Sequence, residues 1–98
     1  VTDQLNLKVQ IAVAILVICA GFYYDITALE WCVILLCIGL VLGLEMMNSA
    51  IENLVDLVTL ERKPLAGKIK DITAGAVLLV SVISVIVGVI VFRKHVDN

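Results

Sequence analysis

Charged residues are scarce in this sequence, and basic residues do not outnumber acidic ones. Only 16% of the 98 residues are charged, and the formal net charge at pH 7 is −2, whereas soluble domains contain about 25% charged residues. The lack of a basic surplus argues against a nucleic-acid partner, because nucleic-acid-binding domains are normally strongly basic. Hydrophobic residues make up 62% of the chain, and a fold this small cannot bury them all. The sequence therefore excludes a free soluble monomer.

Cysteine and proline are also few. Cys19, Cys32 and Cys37 lie inside apolar runs, no two of them have C-x-x-C spacing, and no histidine is near them. This spacing argues against a disulfide framework or a structural metal site. We interpret the three cysteines as buried, unpaired side chains that behave as small hydrophobic residues. The single proline, Pro64, is expected in a polar loop and does not interrupt the apolar runs.

Three uncharged runs predict three membrane spans. The runs cover residues 9–24, 31–44 and 72–92, and a helix needs about 20 residues to cross the hydrocarbon core of a bilayer. The second run is short, but its apolar pattern continues past three acids to residue 59 with only glycines to weaken a helix. We therefore predict an all-α, three-span transmembrane protein with one membrane-embedded domain over residues 1–98. Its spans are expected at about 7–26, at about 29–59 with a cytoplasmic extension, and at about 68–92.

The distribution of basic residues predicts the orientation of these spans. The link at residues 25–30 has no lysine or arginine, whereas the link between the second and third spans contains four. Loops rich in lysine and arginine stay on the cytoplasmic side of the membrane. We expect the second link and the N-terminus to be cytoplasmic and the C-terminus to be outside. The four basic residues of the second link are Arg62, Lys63, Lys68 and Lys70.

A stripe of polar residues follows one face of the second predicted helix. At 100° per residue its members fall within about 100° of one another, and they are Glu45, Asn48, Ser49, Glu52 and Asp56. Each acid taken alone has an ordinary interpretation as a solvated side chain at a membrane exit. Glu45, however, directly follows fourteen uncharged residues, and a carboxylate at that depth is costly and usually functional. The stripe is therefore a candidate site.

The residues alone leave three functions open. Acids facing Lys70 and Asp71 at membrane depth fit metal-assisted phosphoryl transfer, although neither a Walker-type loop nor a kinase glycine loop is present. The same acids also suit a small proton-coupled transporter in which Glu45 titrates. A non-catalytic membrane assembly subunit is the third possibility, because Gly39 and Gly43 form a G-x-x-x-G pair of the kind that brings membrane helices together.

Two blocks of sequence resemble a known family. Residues 45–52 read E-M-M-N-S-A-I-E and are followed by V-D at 55–56. This resembles the E-x-x-N-[ST]-A-I-E-x-x-V-D motif of the prokaryotic diacylglycerol kinase and undecaprenol kinase family. The K-D pair at 70–71, followed by A-G-A-V-L at 74–78, resembles the second block of that family. The resemblance extends over about residues 6–92, nearly the whole chain.

The resemblance implies a small integral-membrane lipid kinase of the bacterial inner membrane. Members of the family transfer the γ-phosphate of ATP, with Mg²⁺, to the hydroxyl of diacylglycerol or undecaprenol. They work as homotrimers whose active sites are shared between neighbouring subunits. The sequence does not distinguish the two lipids. Ser49 is more similar to the diacylglycerol kinases, whereas the stretch at 74–79 and the loop at 64–66 are more similar to the undecaprenol kinases.

The same resemblance assigns roles to individual residues. Glu45 matches the general base that contacts the lipid hydroxyl, Asn48 orients the site, and Glu52 matches the acid that binds the metal and the nucleotide. Lys70 and Asp71 match the nucleotide-contacting pair, with Lys70 on the phosphates. The loop that covers the nucleotide contains Glu61, Arg62 and Lys63. Apart from the resemblance, the small side chain of Ala74 leaves room for a neighbouring helix or a ligand, which makes it a candidate substrate-binding residue.

The sequence departs from the family pattern at its start. Family members usually have an amphipathic surface helix before the first span, and much of that helix is expected to be missing here. The resemblance also implies a second metal-binding glutamate at a position where this chain has Gln4, with Asp3 beside it. A neutral amide is expected to bind magnesium more weakly than a carboxylate does.

Overall fold

The protein folds into three long helices. The computed structural model describes residues 2–59, 61 and 63–96, and side chains from residue 7 onward within these ranges. The helices are α1 (Thr2–Tyr24), α2 (Ala28–Val58) and α3 (Pro64–Val96). All three are long and apolar enough to cross a membrane. The predicted all-α fold with three long apolar helices is therefore confirmed.

The helices form an elongated bundle with a small core. The bundle measures 55 × 20 × 18 Å, and its most extensive internal packing is between α2 and α3. Ile26, Ile34 and Val91 form the buried cluster, against which Trp31 and Phe92 pack. Most of the large apolar side chains on the outer helix faces are exposed. This exposure is expected of a protein whose surroundings are hydrocarbon, because lipid tails are as apolar as the side chains themselves.

The turn between α1 and α2 is short, and its residues cap both helices. Asp25 has a positive φ of 54°, a conformation that aspartate tolerates better than most residues do. The Ile26 amide then donates to Gly21 O at 3.2 Å, as in a Schellman motif. Thr27 begins α2 with a capping box, in which Thr27 Oγ1 accepts from Glu30 N and Glu30 Oε1 accepts from Thr27 N.

Aromatic rings gather at this end of the bundle, which we call the aromatic end. Phe22 and Trp31 have ring centroids 4.9 Å apart, and Tyr24 and Phe92 have centroids 6.0 Å apart. His95 Nε2 lies 2.8 Å from Glu30 Oε1, so the last turn of α3 is tied to the first turn of α2. The opposite end of the α2–α3 pair contains the loop before Pro64, and we call it the Pro64 end.

Two sequence-based expectations need correction. Cys19 and Cys32 are exposed and Cys37 is half-buried, and all three are free. The expectation of buried cysteines is wrong for Cys19 and Cys32 because they lie on helix faces that point away from the other helices. Pro64 is the first residue of α3 and not part of the loop. Proline suits the first turn of a helix, where its missing amide proton has no partner to lose.

Candidate active site

The polar stripe of α2 contains the buried polar residues of the described chain. Glu45 is 5% exposed and Asn48 is 8% exposed. Both project from the uninterrupted helix at Ala28–Val58, in which residues three and four apart share a face. The predicted clustering on one face therefore brings Glu45 and Asn48 together with Glu52, one turn further along.

Asn48 and Glu52 form the first pair of the site. Asn48 Nδ2 donates to Glu52 Oε1 at 3.2 Å. The other end of the amide, Asn48 Oδ1, is buried and has no hydrogen-bond partner among the described residues. A buried acceptor without a donor is costly, so this oxygen is available to a further partner.

Glu45 forms the second pair, with a residue that the sequence analysis missed. Gln10 Nε2 on α1 donates to Glu45 Oε2 at 3.4 Å. The sequence did contain a signal, because Gln10 is the only amide side chain in the uncharged run 9–24. An amide inside an apolar span needs a polar partner, and Glu45 provides it.

Lys70 contacts the end of the same stripe. Lys70 Nζ lies 2.6 Å from Asp56 Oδ1, and the two side chains are 38% and 49% exposed. Asp56 is one turn beyond Glu52 on α2, whereas Lys70 is on α3. The neighbouring Asp71 and the more distant Ala74 are exposed. The structure therefore brings Lys70 to the acidic stripe through Asp56.

The loop before α3 lies at the Pro64 end of the site. Glu61 N donates to Thr59 Oγ1 at 3.1 Å, and Lys63 N donates to Glu61 O at 2.9 Å. Glu61 and Lys63 line an open cavity of about 840 Å³ together with Asp56 and Ile69. The predicted site residue Arg62 lies outside the described residues, and so do the side chains of Asp3 and Gln4.

The comparison with known families decides between the three functions. The sequence model described as prokaryotic diacylglycerol kinase matches residues 1–92. The chain belongs to this family. Family membership confirms the resemblance seen in the two sequence blocks. The family is one of bacterial membrane lipid kinases, so the protein is a lipid kinase. A transporter and a non-catalytic assembly subunit are thereby set aside.

Individual relatives within the diacylglycerol kinase family agree. The chain is 42% identical to the undecaprenol kinase of Bacillus subtilis (strain 168) over 87 residues, which are 89% of this chain and 71% of that protein. It is 31% identical to the diacylglycerol kinase of Escherichia coli (strain K12) over 87 residues, or 89% of this chain and 69% of the relative. The diacylglycerol kinase of Synechocystis sp. (strain ATCC 27184 / PCC 6803 / Kazusa) is 37% identical over 86 residues, or 87% and 49%. No solved structure matches the chain.

The site has oxygen donors that suit magnesium, but they suit it only together with the phosphates of a nucleotide. Among residues 2–59, 61 and 63–96, no group of three histidine, cysteine or acidic side chains is placed to hold a metal ion. Magnesium in phosphoryl-transfer enzymes is commonly held by one or two carboxylates together with substrate phosphates and water. The carboxylate of Glu52 and the unpaired Asn48 Oδ1 are hard oxygen donors of this kind. The residues therefore fit a metal that is shared with a nucleotide.

Proposed function

We propose that this member of the diacylglycerol kinase family transfers the γ-phosphoryl group of ATP, with magnesium, to the hydroxyl of a membrane lipid. The acceptor is diacylglycerol or undecaprenol, and transfer takes place at the cytoplasmic interface. One observation carries the proposal: a single face of α2 leads from the buried Glu45, through the Asn48–Glu52 pair, to the Lys70–Asp56 ion pair. This order matches a path from a lipid hydroxyl to the phosphates of a nucleotide.

Glu45 is proposed as the general base. Its side chain is 5% exposed, so bulk water has little access to the carboxylate and does not compete with a lipid hydroxyl for it. A base must lie within hydrogen-bond reach of the proton that it removes. The hydroxyl therefore has to come to the buried end of the stripe, where Glu45 also helps to bind the substrate. Ala74 is proposed to leave room for the lipid with its small side chain.

Asn48 and Glu52 are proposed to serve the nucleotide side of the reaction. Asn48 Nδ2 holds Glu52 Oε1 at 3.2 Å, which limits the rotation of the Glu52 carboxylate. Glu52, with Asn48 Oδ1 beside it, would hold magnesium together with the phosphates. Bound magnesium would neutralise the charge that develops on the transferring phosphoryl group.

Lys70 and Asp71 are proposed to bind the nucleotide, together with Glu61, Arg62 and Lys63 of the loop. Lys70 is paired with Asp56, and both side chains are more than a third exposed. An exposed ion pair contributes about 1 kcal/mol or less, so phosphate oxygens compete with Asp56 easily. The flexible stem of lysine allows this change of partner without movement of α3.

The proposed assembly is a homotrimer in the bacterial inner membrane, with the N-terminus in the cytoplasm and the C-terminus outside. Positions Gly39 and Gly43 have open space where a Cβ atom would lie, and beyond the adjacent backbone of their own helix no atom of the described residues is within 4 Å. Such small-residue positions allow a second helix to approach closely in lipid. The open face therefore supports contact between subunits through α2.

The proposal is tested by a phosphorylation assay in bicelles with labelled ATP, in which diacylglycerol and undecaprenol are offered separately. We expect label in one of the lipids with the parent chain and a loss of at least about 100-fold with Glu45→Gln and Glu52→Gln. Asp25→Asn is the matched control, because it makes the same acid-to-amide change at the aromatic end and asparagine also tolerates a positive φ. Equal label from the parent, Glu45→Gln and Glu52→Gln would contradict the proposal.

A further inference from the structure

Gln10 provides a side-chain hydrogen bond from α1 to the polar stripe of α2. Its Nε2 atom donates to Glu45 Oε2 at 3.4 Å. The opposite orientation of the amide would put an oxygen against a carboxylate oxygen, which repel each other, so the nitrogen is the atom that faces Glu45. A bond of this length is long for an N–H donor, and catalytic hydrogen bonds are often long until substrate is bound.

The apolar surroundings of Gln10 make an amide unfavourable for stability at this position. Gln10 lines a cavity of about 600 Å³ between the three helices, whose other lining residues on α1 are Val13, Ala14 and Val17. The Gln10 Oε1 atom is buried, and no donor reaches it among the described residues. A polar atom in apolar surroundings without a partner destabilises a fold. The carbonyl oxygen of the Gln10 amide therefore lowers the stability of the fold.

Space filling alone does not account for Gln10. Methionine has nearly the same length and shape, suits apolar surroundings and has no unsatisfied oxygen. If the side chain only filled space between α1 and α2, methionine would fill it at lower cost. What methionine lacks is the N–H donor to Glu45. The feature that distinguishes glutamine here is thus its contact with the proposed base.

We propose that Gln10 is a positioning residue that holds the carboxylate of Glu45 in the orientation needed for catalysis. With Oε2 engaged by Gln10 Nε2, the other carboxylate oxygen is left to take the proton of the lipid hydroxyl. A base that rotates freely spends less time aligned with the hydroxyl, which lowers the rate of the chemical step more than it changes substrate binding. This inference rests on the proposed function, in which Glu45 is the general base.

The test compares Gln10→Met and Gln10→Glu with the parent chain in the lipid phosphorylation assay. Gln10→Met keeps the shape and removes the donor, and we expect kcat to fall by about tenfold or more with the KM for ATP within twofold of the parent. Gln10→Glu also keeps the shape but puts a second carboxylate against Glu45, and we expect a larger fall in kcat. Val13→Leu alters the same cavity without a polar atom and is expected to keep the parent kcat.

Thermal unfolding in detergent separates positioning from a structural role. We expect Gln10→Met to unfold at nearly the same temperature as the parent, because removal of the unpaired Oε1 offsets the loss of the donor to Glu45. A fall in kcat that accompanies a lower unfolding temperature, or a kcat within twofold of the parent, would overturn the inference. If the parent is active and Glu45→Gln is not, either result leaves the proposed function standing. An inactive parent, or an active Glu45→Gln, would instead remove the premise on which the inference rests and overturn it.

Discussion

Lys70 Nζ lies 2.6 Å from Asp56 Oδ1, so an ion pair joins α3 to α2 one helical turn beyond Glu52. Both side chains are partly exposed, which limits how much the pair contributes to stability. An ion pair that is weak and close to the proposed metal-binding acid is easily exchanged for a phosphate. Under the proposed function, the pair is a resting position that Lys70 leaves when it binds a phosphate.

Substitutions of the two partners are expected to have unequal effects. Lys70→Ala should raise the KM for ATP and lower kcat/KM by at least about 100-fold, because the positive charge on the phosphates is lost. Asp56→Asn should leave kcat/KM within about threefold of the parent, because it removes only the resting partner. Steady-state assays at varied ATP concentration measure both effects.

Lys68→Ala is the control for this pair of variants. Lys68 is exposed on the first turns of α3 and has the same charge, so a general effect of charge near the nucleotide would appear in it as well. Similar losses from Lys68→Ala and Lys70→Ala would show that Lys70 has no specific role. Similar losses from Asp56→Asn and Lys70→Ala would show that the ion pair itself is what matters.

The Asn48–Glu52 hydrogen bond predicts a change in the requirement for magnesium. Asn48→Leu removes both the donor to Glu52 Oε1 and the unpaired Oδ1 and keeps a side chain of similar size. We expect half-maximal activity at a magnesium concentration at least about tenfold higher, since groups that orient a metal ligand typically affect affinity by 10-fold to about 100-fold. A titration of activity with magnesium at saturating ATP measures this change.

The control for Asn48→Leu is Ser49→Ala, which removes a polar group from the next position of the same helix. Ser49 is half-buried. We expect the Ser49→Ala variant to have the same magnesium titration as the parent. An unaltered titration for Asn48→Leu, or an equal shift for both variants, would contradict a specific role for Asn48 in orienting Glu52.

Much of this architecture could be predicted because it depends on short-range patterns. The uncharged runs, with the apolar pattern that continues past the acids of the second run, are enough to predict the number and approximate positions of the three helices. The spacing of Glu45, Asn48 and Glu52 is enough to put them on one face, since helical geometry alone relates residues three and four apart. The Asn48–Glu52 pair, four residues apart on one helix, is of the same local kind.

Contacts between helices were harder to predict. The bond from Gln10 to Glu45 spans 35 positions and depends on how α1 is rotated against α2, which a chain that is apolar on all sides does not reveal. The contact of His95 with Glu30 spans 65 positions and was missed for the same reason. The cysteines were expected inside the bundle, but apolar residues face lipid as readily as they face a core.

The open face around Gly43 predicts sensitivity of the proposed homotrimer to side-chain size. Gly43→Leu is expected to lower the trimeric fraction in mild detergent by at least about tenfold, because a large side chain prevents the close approach of helices that glycine allows. Gly43→Ala is the matched control and should retain most of the trimer. Native mass spectrometry or chemical crosslinking gives the fractions, and an unchanged fraction for Gly43→Leu would place the subunit contact elsewhere.

The close packing at the aromatic end predicts that a single methyl group added at Gly21 lowers the stability of the protein. A Cβ atom at Gly21 would lie 2.7 Å from Trp31 Cη2, and that ring is already packed against Phe22. We expect Gly21→Ala to lower the free energy of unfolding by about 1–3 kcal/mol, as is usual when a packed contact is overfilled.

Fluorescence provides a second readout of the Gly21→Ala variant, because Trp31 is the only tryptophan of the chain and a displaced ring changes its emission. Gly88→Ala is the control, since beyond its own helix backbone no described residue lies within 4 Å of a Cβ atom there and alanine is about 0.5–1 kcal/mol better than glycine inside a helix. The two alanine variants should therefore change stability in opposite directions. If Gly21→Ala is as stable as Gly88→Ala and leaves the emission of Trp31 unaltered, the close packing of α1 on Trp31 is not what holds this end together.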